Sequence, residues 1–252
     1  MRSSRPRHAR SPRRFLPVAG VPAVLIAVSS AVFLAHQQHP AHVRELQLAP
    51  HVPHREREAA PAPAPTPWQA FARAKGITLV LPAPHPIAVA YHEASVDFAA
   101  TLHPLGRIVR NANRWKFDAP HPTEGPPYIV MSSRGRPMPA TSAVDVVLRH
   151  RTPVRAPVTG RVIHVRRYHL YCRYDDMRVA IRPRGVKDYA VVVIHLTKVH
   201  VHEGQRVFAR LSVIGYPRPF GFRSQVDDYI RGGNPHVHIE VAKPHPVRRA
   251  TC

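Results

Sequence analysis

Cysteine is scarce in this chain of 252 residues: there are two, Cys172 and Cys252, and there is no CxxC motif. A structural zinc site built on thiolates is therefore excluded, because such a site needs several cysteines at short spacings. Outside the cytosol the two cysteines are able to form one disulfide, and two free thiols fit the sequence equally well.

Acidic residues are also few. The chain has 15 Asp+Glu against 37 Lys+Arg, which gives a formal net charge of +22 and a pI near 11.4. This balance favours anionic partners, nucleic acid among them. However, the chain lacks zinc-finger spacing, an aromatic RNP-like strand and a recognisable helix-turn-helix pattern. The arginines are scattered along the chain, so attraction to an anionic envelope explains the charge at least as well, and nucleic acid is not the favoured partner.

One long uncharged segment, residues 15–35, lies near the N-terminus after a stretch with six arginines and no acid. Its 21 residues are enough for a hydrophobic helix that crosses a bilayer, with the arginines on the cytoplasmic side. A cleavable signal peptide is the alternative, since Ser29 and Ala31 form a small-x-small pattern. Both interpretations assign residues 1–35 to export and predict an extracytoplasmic protein of the cell envelope, either membrane-anchored or secreted.

Helical periodicity is nearly absent from the rest of the chain. Residues 36–67 are predicted to be a Pro/His-rich linker, and residues 68–135 a β-rich N-terminal extension that packs on the main domain. Within the extension, WQAFARAK (68–75) is expected to form at most one short helix. Residues 136–245 contain short apolar strand patterns separated by turns, and residues 246–252 form a basic tail. The pattern predicts an all-β fold.

Polar residues of a catalytic type occur inside these predicted strands. The stretch NPHVHIEV alternates, so His236, His238 and Glu240 share one face of a strand whose other face is apolar. His195 ends the apolar run AVVVIHL. Asp145 lies among valines, where an unpaired carboxylate is costly. A hydrolytic zinc site needs about three such ligands and an open position for water.

Each of these signals is weak when it is taken alone. A single histidine in a strand is more often structural than functional, and Asp145 could simply cap a turn. With 19 histidines in the chain, a His-x-His pair also arises by chance. His200 and His202 form a second such pair, which is interpreted as solvent-facing. The order of the motifs along the chain carries more information than any one of them.

The C-terminal part of the chain resembles the lysostaphin/LytM-type zinc endopeptidases, which cut peptide cross-links in bacterial peptidoglycan. The resemblance covers about 110 residues and implies antiparallel sheets of the LytM, or duplicated-hybrid-motif, type with a metal in a groove between them. The matching motifs are TSAVD (141–145), RTPVRAPVTGRV (151–162), VIHL (193–196), VHEGQRV (201–207), Ile214-Gly215 and HVHIEV (236–241).

The resemblance also implies roles for individual residues. Asp145 and His238 match the positions of zinc ligands. His195 and His236 match the two catalytic histidines that orient the attacking water and stabilise the tetrahedral intermediate. The implied cofactor is zinc, and the implied substrate is a peptidoglycan peptide.

The sequence departs from the family pattern at the first zinc ligand, where Thr141 replaces a histidine. A neutral hydroxyl binds zinc no better than water does. Two smaller departures are Ala143 for a glycine and Val193 for a tyrosine. Three explanations stay open: a substitute ligand, with His150 and His245 the nearest candidates along the chain; weak or absent zinc; or metal-dependent chemistry of another geometry.

An insertion at 216–234 precedes the His-x-His strand, so it is expected to line the groove, although an ordinary surface loop is the alternative. Aromatic and amide groups there suit recognition of glycan or peptide, and one of its two acids is a candidate for approaching the metal. The predicted function is therefore a LytM-type metallopeptidase with an altered zinc site that acts on peptidoglycan. The alternatives are a catalytically silent peptidoglycan-binding or hydrolase-regulating module, and a basic binder of anionic polymers or nucleic acid. The rim candidates are Tyr216, Arg223, Gln225, Asp227, Asp228 and Tyr229.

Overall fold

A computed structural model describes residues 68–96 and 98–244. The predicted hydrophobic segment, the linker and the basic tail lie outside these residues. Within the described part, no helix has the length and apolar character needed to span a membrane.

The described residues form fourteen strands and one 3₁₀ turn, Gln225–Asp228, which is their only helical element. The all-β prediction is confirmed. The strands are β1 Ala70–Ala74, β2 Ile77–Val80, β3 Ala88–His92, β4 His103–Pro104, β5 Ile108–Asn111, β6 Tyr128–Val130, β7 Ala143–Val147, β8 Val154–Arg155, β9 Gly160–Leu170, β10 Tyr174–Pro183, β11 Ala190–Thr197, β12 Arg206–Val207, β13 Val213–Pro217 and β14 His236–Ala242.

The segment WQAFARAK does not form the short helix that the sequence analysis allowed for. It forms β1 and pairs with β2 in an antiparallel hairpin. Lys75 and Gly76 make the turn with φ angles of 50° and 75°, the left-handed conformation that tight hairpins require. The hairpin buries Phe71 and Leu79 completely. Packing of these side chains outweighs the helix propensity of the alanines.

The larger sheet has the strand order β12-β9-β10-β11-β14-β7-β3-β6-β5. Its pairings are antiparallel except those of β6, which runs parallel to both β3 and β5. Strand β3 belongs to the segment before residue 136, yet it pairs directly with β7. The sheet therefore continues across the boundary drawn from the sequence, and β3 lies next to the strand that carries Asp145.

The central strands β7 and β14 are apolar on one face and polar on the other. The apolar face packs into the main core, where its side chains are fully buried. The opposite face carries the acids and histidines, and these are also buried. The core side chains of the two strands are Val144, Val146, Val237, Ile239 and Val241.

Candidate metal centre

Three adjacent strands bring His92, Asp145 and His238 together. In the pairing of β14 with β7, His238 lies opposite Asp145, and in the pairing of β3 with β7, His92 lies opposite Ala143. Residues two apart on a strand share a face, so all three side chains meet on the polar side of the sheet. One ligand atom from each lies within 4.8 Å of the other two, and all three residues are buried.

The hydrogen bonds of His92 leave one ring nitrogen directed at the cluster. Its Nδ1 is 2.9 Å from the carbonyl oxygen of Glu93, which only accepts, so Nδ1 carries the hydrogen. Burial lowers the pKa of His92, which favours the neutral ring. Its Nε2 is buried, lacks a hydrogen-bond partner among the described residues and lies 3.0 Å from Asp145 Oδ1. A lone pair facing a carboxylate oxygen fits a cation between them.

His238 is oriented by a carboxylate on each side. Its Nδ1 lies 3.0 Å from Asp145 Oδ1, and its Nε2 lies 3.5 Å from Glu240 Oε2. Burial alone would lower the pKa of His238, but the two carboxylates raise it to about 9. A metal ion would replace the proton on Nδ1, while Glu240 holds the opposite side of the ring, an arrangement common among metal-binding histidines.

The third member of this group, His92, is a residue that the sequence analysis did not consider. Thr141 is buried, and its hydroxyl donates a 2.8 Å hydrogen bond to the Leu102 carbonyl. His150 is exposed and lines a different cavity, and His245 is outside the described residues. His150, one candidate for a substitute ligand, is therefore not part of the group, whereas His92 is.

His236 lies beside the cluster, with its Nε2 3.7 Å from Asp145 Oδ2. The Phe220 ring stacks on it with a centroid distance of 4.4 Å and an interplanar angle of 14°. Burial, the largest influence, lowers the pKa of His236 to about 4. At neutral pH the imidazole is therefore uncharged and able to accept a proton. The predicted catalytic histidines lie together, since the rings of His195 and His236 are 5.3 Å apart.

A backbone irregularity sets the position of His195. The register between β10 and β11 shifts between Met177 and Val179, and His195 has a φ of 65°, in the left-handed region that non-glycine residues rarely adopt. Such a bulge redirects a side chain out of the regular alternation. His195 consequently faces the same groove as His236, although His195 lies on β11 and His236 on β14.

A buried carboxylate that the sequence analysis missed holds the His195 ring. Nδ1 of His195 lies 2.6 Å from Asp176 Oδ2, and the Tyr168 hydroxyl donates to the same oxygen at 3.0 Å. Asp176 also forms an ion pair with Arg218, with 3.3 Å between Oδ2 and Nε. The carboxylate fixes Nδ1–H as a donor and leaves Nε2 for the groove.

Asp145, His195, His236 and His238 line a groove with a cavity volume of about 310 Å³. The tip of the β9–β10 hairpin contributes Leu170 and Tyr171 to its lining, and the insertion contributes the predicted rim residues Arg223 and Gln225. Cys172 in the hairpin turn is disulfide-bonded. The described lining residues are Ser95, Arg134, Arg136, Asp145, Leu170, Tyr171, Ile194, His195, Phe220, Phe222, Arg223, Ser224, Gln225, His236 and His238.

The other rim candidates do not line this groove. Tyr216 contributes to the cavity that also contains His150. Asp227 accepts hydrogen bonds from the backbone and hydroxyl of Ser224 at the start of the 3₁₀ turn. Asp228 forms an ion pair with an arginine, and Tyr229 accepts a hydrogen bond from a backbone N–H in another segment. Neither carboxylate of the insertion belongs to the metal-binding group.

Glu93, next to His92, anchors the segment that forms one wall of the groove. Its carboxylate accepts hydrogen bonds from the Lys116 ammonium and the Ser133 hydroxyl, and from the backbone N–H groups of Arg134 and Arg136. Burial alone would raise its pKa, but these donors lower the pKa of Glu93 to about 2. A buried carboxylate thus ties residues 132–136 to the end of β3.

We predict that Glu93→Gln destabilises the metal-free protein by about 3 kcal/mol at neutral pH, since each pKa unit corresponds to about 1.4 kcal/mol. The carboxyl binds its proton near pH 4.5 when unfolded and near pH 2 when folded. Its stabilising contribution is therefore complete above pH 4.5 and lost as the pH falls towards 2. Urea unfolding of the chelator-treated chain at pH 6 and pH 2.5 measures this difference.

The exposed Glu124 provides the matched control, and Glu124→Gln should change the free energy of unfolding by no more than about 0.5 kcal/mol. A Glu93→Gln effect of equal size at both pH values would contradict the assigned role of the carboxylate.

The fold and the site together define a mainly antiparallel all-β protein with a buried His–Asp–His group, and Asp145 and His238 of that group line an open groove. Comparison with solved structures finds chains that are similar to part of this one. The chain is similar to lysostaphin, solved by NMR (20% identity, TM-score 0.31), over 42% of this chain and 38% of that one. It is also similar to LytU (23% identity, TM-score 0.32), over 45% of this chain and 69% of that one.

A third similar structure is a mutant of the catalytic domain of the prophage-encoded M23 protein EnpA from Enterococcus faecalis. It has 16% identity and a TM-score of 0.32, over 53% of this chain and 82% of that one. No protein-family description and no curated protein matches the sequence.

Proposed function

We propose that this protein is a zinc-dependent endopeptidase that hydrolyses peptides of peptidoglycan in the cell envelope. The observation that carries the proposal is the position of His92, which supplies the third ligand that the motif at 141–145 lacks. The order of the family motifs along the sequence supports the substrate class, and the predicted export segment supports the location.

The three side chains fit zinc by their chemistry. Two imidazoles and one carboxylate are ligands that zinc accepts, and three protein ligands leave a position open towards the groove. The buried, unpartnered Nε2 of His92 is the atom that a cation would satisfy. Bound zinc would polarise the scissile carbonyl and lower the pKa of a bound water.

The protein's own residues then provide proton transfer and charge stabilisation. Neutral His236 accepts the proton of the attacking water and passes it to the leaving amine, as a general base and then a general acid. His195, held through Nδ1 by Asp176, presents its other nitrogen to the groove and stabilises charge on the carbonyl oxygen. The ring centroids of His195 and His236 are 5.3 Å apart, so the two histidines act on the same bond.

The proposal is tested with the purified full chain, loaded with zinc and incubated with peptidoglycan. We expect new amino groups to appear, their release to stop when a chelator removes the metal, and activity to return with added zinc. If the zinc-loaded chain binds peptidoglycan but releases no amines, the protein is a binding or regulatory module and the proposed hydrolysis is wrong.

We also predict that Asp176→Asn lowers kcat by about 10- to 100-fold with little change in KM or zinc content, because removing the partner of a functional histidine typically has an effect of this size. Asp176→Glu, which keeps the charge, should recover part of the loss. Equal losses for the two variants, or a parallel loss of zinc, would indicate a purely structural role.

A second candidate function, binding of an anionic polymer, is favoured by a row of arginines away from the groove. Arg161 on β9 pairs directly with Arg182 on β10 and Arg206 on β12, although like charges in this position are destabilising. Together with Arg184 they line a cavity of about 400 Å³, and no acid is among its described lining residues. Polyphosphate binding that weakens steeply with salt and is reduced by Arg161→Gln would support this function. Salt-independent binding would exclude it.

A further inference from the structure

Two arginines of one short segment line the groove next to the candidate metal centre. Arg134 and Arg136 both contribute to the wall of the groove, and Asp145 is the one acid among the described lining residues. Nη2 of Arg134 lies 3.9 Å from Asp145 Oδ2, within ion-pair range but too far for a hydrogen bond. The positive charge of Arg134 therefore lies near the candidate metal centre without a hydrogen bond to Asp145.

The two side chains are held in place by fixed partners. The backbone N–H groups of Arg134 and Arg136 donate to the buried Glu93 carboxylate at 2.9 and 3.0 Å. Nη1 of Arg136 donates to the Glu93 carbonyl at 2.8 Å, and Nε of Arg134 donates to the Gln225 side chain. Each guanidinium is thus anchored through one nitrogen. Among the described residues, no other hydrogen bond engages the remaining side-chain nitrogens.

Two other arginines near the groove have closer acidic partners than Arg134 has in Asp145. Arg223 pairs with Asp228 at 2.6 Å, and Arg218 pairs with Asp176. The Glu93 carboxylate, which accepts from the backbone N–H groups of Arg134 and Arg136, already forms an ion pair with the Lys116 ammonium.

The charge on Arg136 is disfavoured in the free protein. Burial, followed by repulsion from Arg134, lowers the pKa of Arg136. A zinc ion in the cluster would add further positive charge to the same groove. A bound anion would offset this excess of positive charge in the groove.

We propose that Arg134 and Arg136 bind a carboxylate of the substrate on a residue that flanks the scissile amide. The inference rests on the proposed peptidase function and narrows its substrate class to acidic peptides. A guanidinium presents parallel N–H donors that match the two oxygens of a carboxylate. Since Arg134 approaches a metal ligand to 3.9 Å, the bound carboxylate lies close to the reacting carbonyl.

The test uses two peptidoglycan-derived peptides that differ only in that a free carboxylate beside the scissile bond is replaced by a carboxamide. Binding to the zinc-loaded full chain is measured by calorimetry, and kcat/KM by amine release. Hydrogen bonds to charged groups contribute about 1.5–3 kcal/mol, so we expect the carboxylate peptide to be favoured about 10- to 100-fold.

Variants assign this preference to the two arginines. Arg134→Gln and Arg136→Gln should each weaken binding and cleavage of the carboxylate peptide about tenfold or more and leave the carboxamide peptide nearly unchanged. Arg136→Lys, which keeps the charge but not the paired donors, should recover part of the preference. The exposed Arg149, which does not line the groove, provides the control Arg149→Gln with an unchanged preference.

The possible outcomes separate this inference from the peptidase function. If the unmodified protein binds and cleaves both peptides equally, the carboxylate site is wrong and the peptidase function stands. If it cleaves neither peptide but still binds the carboxylate form more tightly, the site stands and hydrolysis is wrong. A preference that survives the double variant Arg134→Gln/Arg136→Gln, with zinc content unchanged, overturns the assignment.

Discussion

Replacing His92 by alanine is expected to abolish stoichiometric zinc binding by the full chain. His92 supplies one of three candidate ligands, and its Nε2 lies 3.0 Å from Asp145. Losing an outer hydrogen-bonding partner of a ligand costs about 10- to 100-fold in metal affinity, so losing the ligand itself should cost more than about 100-fold. Elemental analysis after dialysis against trace zinc, followed by competition with a chelator of known affinity, measures the change.

His150→Ala is the matched control, because His150 was the nearest described histidine along the chain but is exposed outside the cluster. Its zinc content should equal that of the unmodified protein. Full zinc occupancy in His92→Ala would mean that the metal does not use β3. Absence of zinc from the unmodified protein would remove the basis of the proposed hydrolysis.

The polar face of β14 was predictable because it depends on local alternation. The stretch at 236–241 shows which side chains share a face before any partner strand is known, and the motif order places His195 and Asp145 with it. Asp145, His195, His236 and His238 do meet at the groove. Their roles as ligands and catalysts stay predictions.

His92 and Asp176 were not predictable in this way, because both depend on contacts that are distant in sequence. His92 reaches the cluster through the pairing of β3 with β7, and no motif covers β3. Asp176 meets His195 where the register of β10 and β11 shifts, and a bulge of this kind has no sequence signature here. Proximity along the chain, which suggested His150, is a poor guide when strands from separate segments pair.

The geometry likewise separates the residues of the insertion. Sequence composition grouped six polar or aromatic side chains as a rim, but the structure places only Arg223 and Gln225 against the groove. Asp227 and Asp228 satisfy donors within the insertion itself. Arg134 and Arg136 replace them as the charged wall, since Glu93 fixes their backbone next to β3.

Replacing His236 by alanine is expected to lower kcat by about 10²- to 10⁴-fold while zinc content stays the same, the range by which positioned general acid–base groups contribute. Burial keeps this imidazole neutral, so a ring nitrogen has a lone pair for a proton, and stacking on Phe220 fixes the plane of the ring. Because it lies outside the three-residue ligand group, its removal should leave the metal in place. Parallel measurement of amine release and zinc content tests both statements.

The second His-x-His pair supplies the control for this variant. His200 is exposed, so His200→Ala should leave both turnover and zinc content unchanged. If His236→Ala lost zinc together with activity, His236 would be a ligand, and the separation of binding from proton transfer would be wrong. If it kept both, the proton would be handled by another group, with His195 the nearest candidate at a ring distance of 5.3 Å. Retained zinc with lost turnover would therefore assign His238 to the metal and His236 to the reaction, although the two differ by only two positions on one strand.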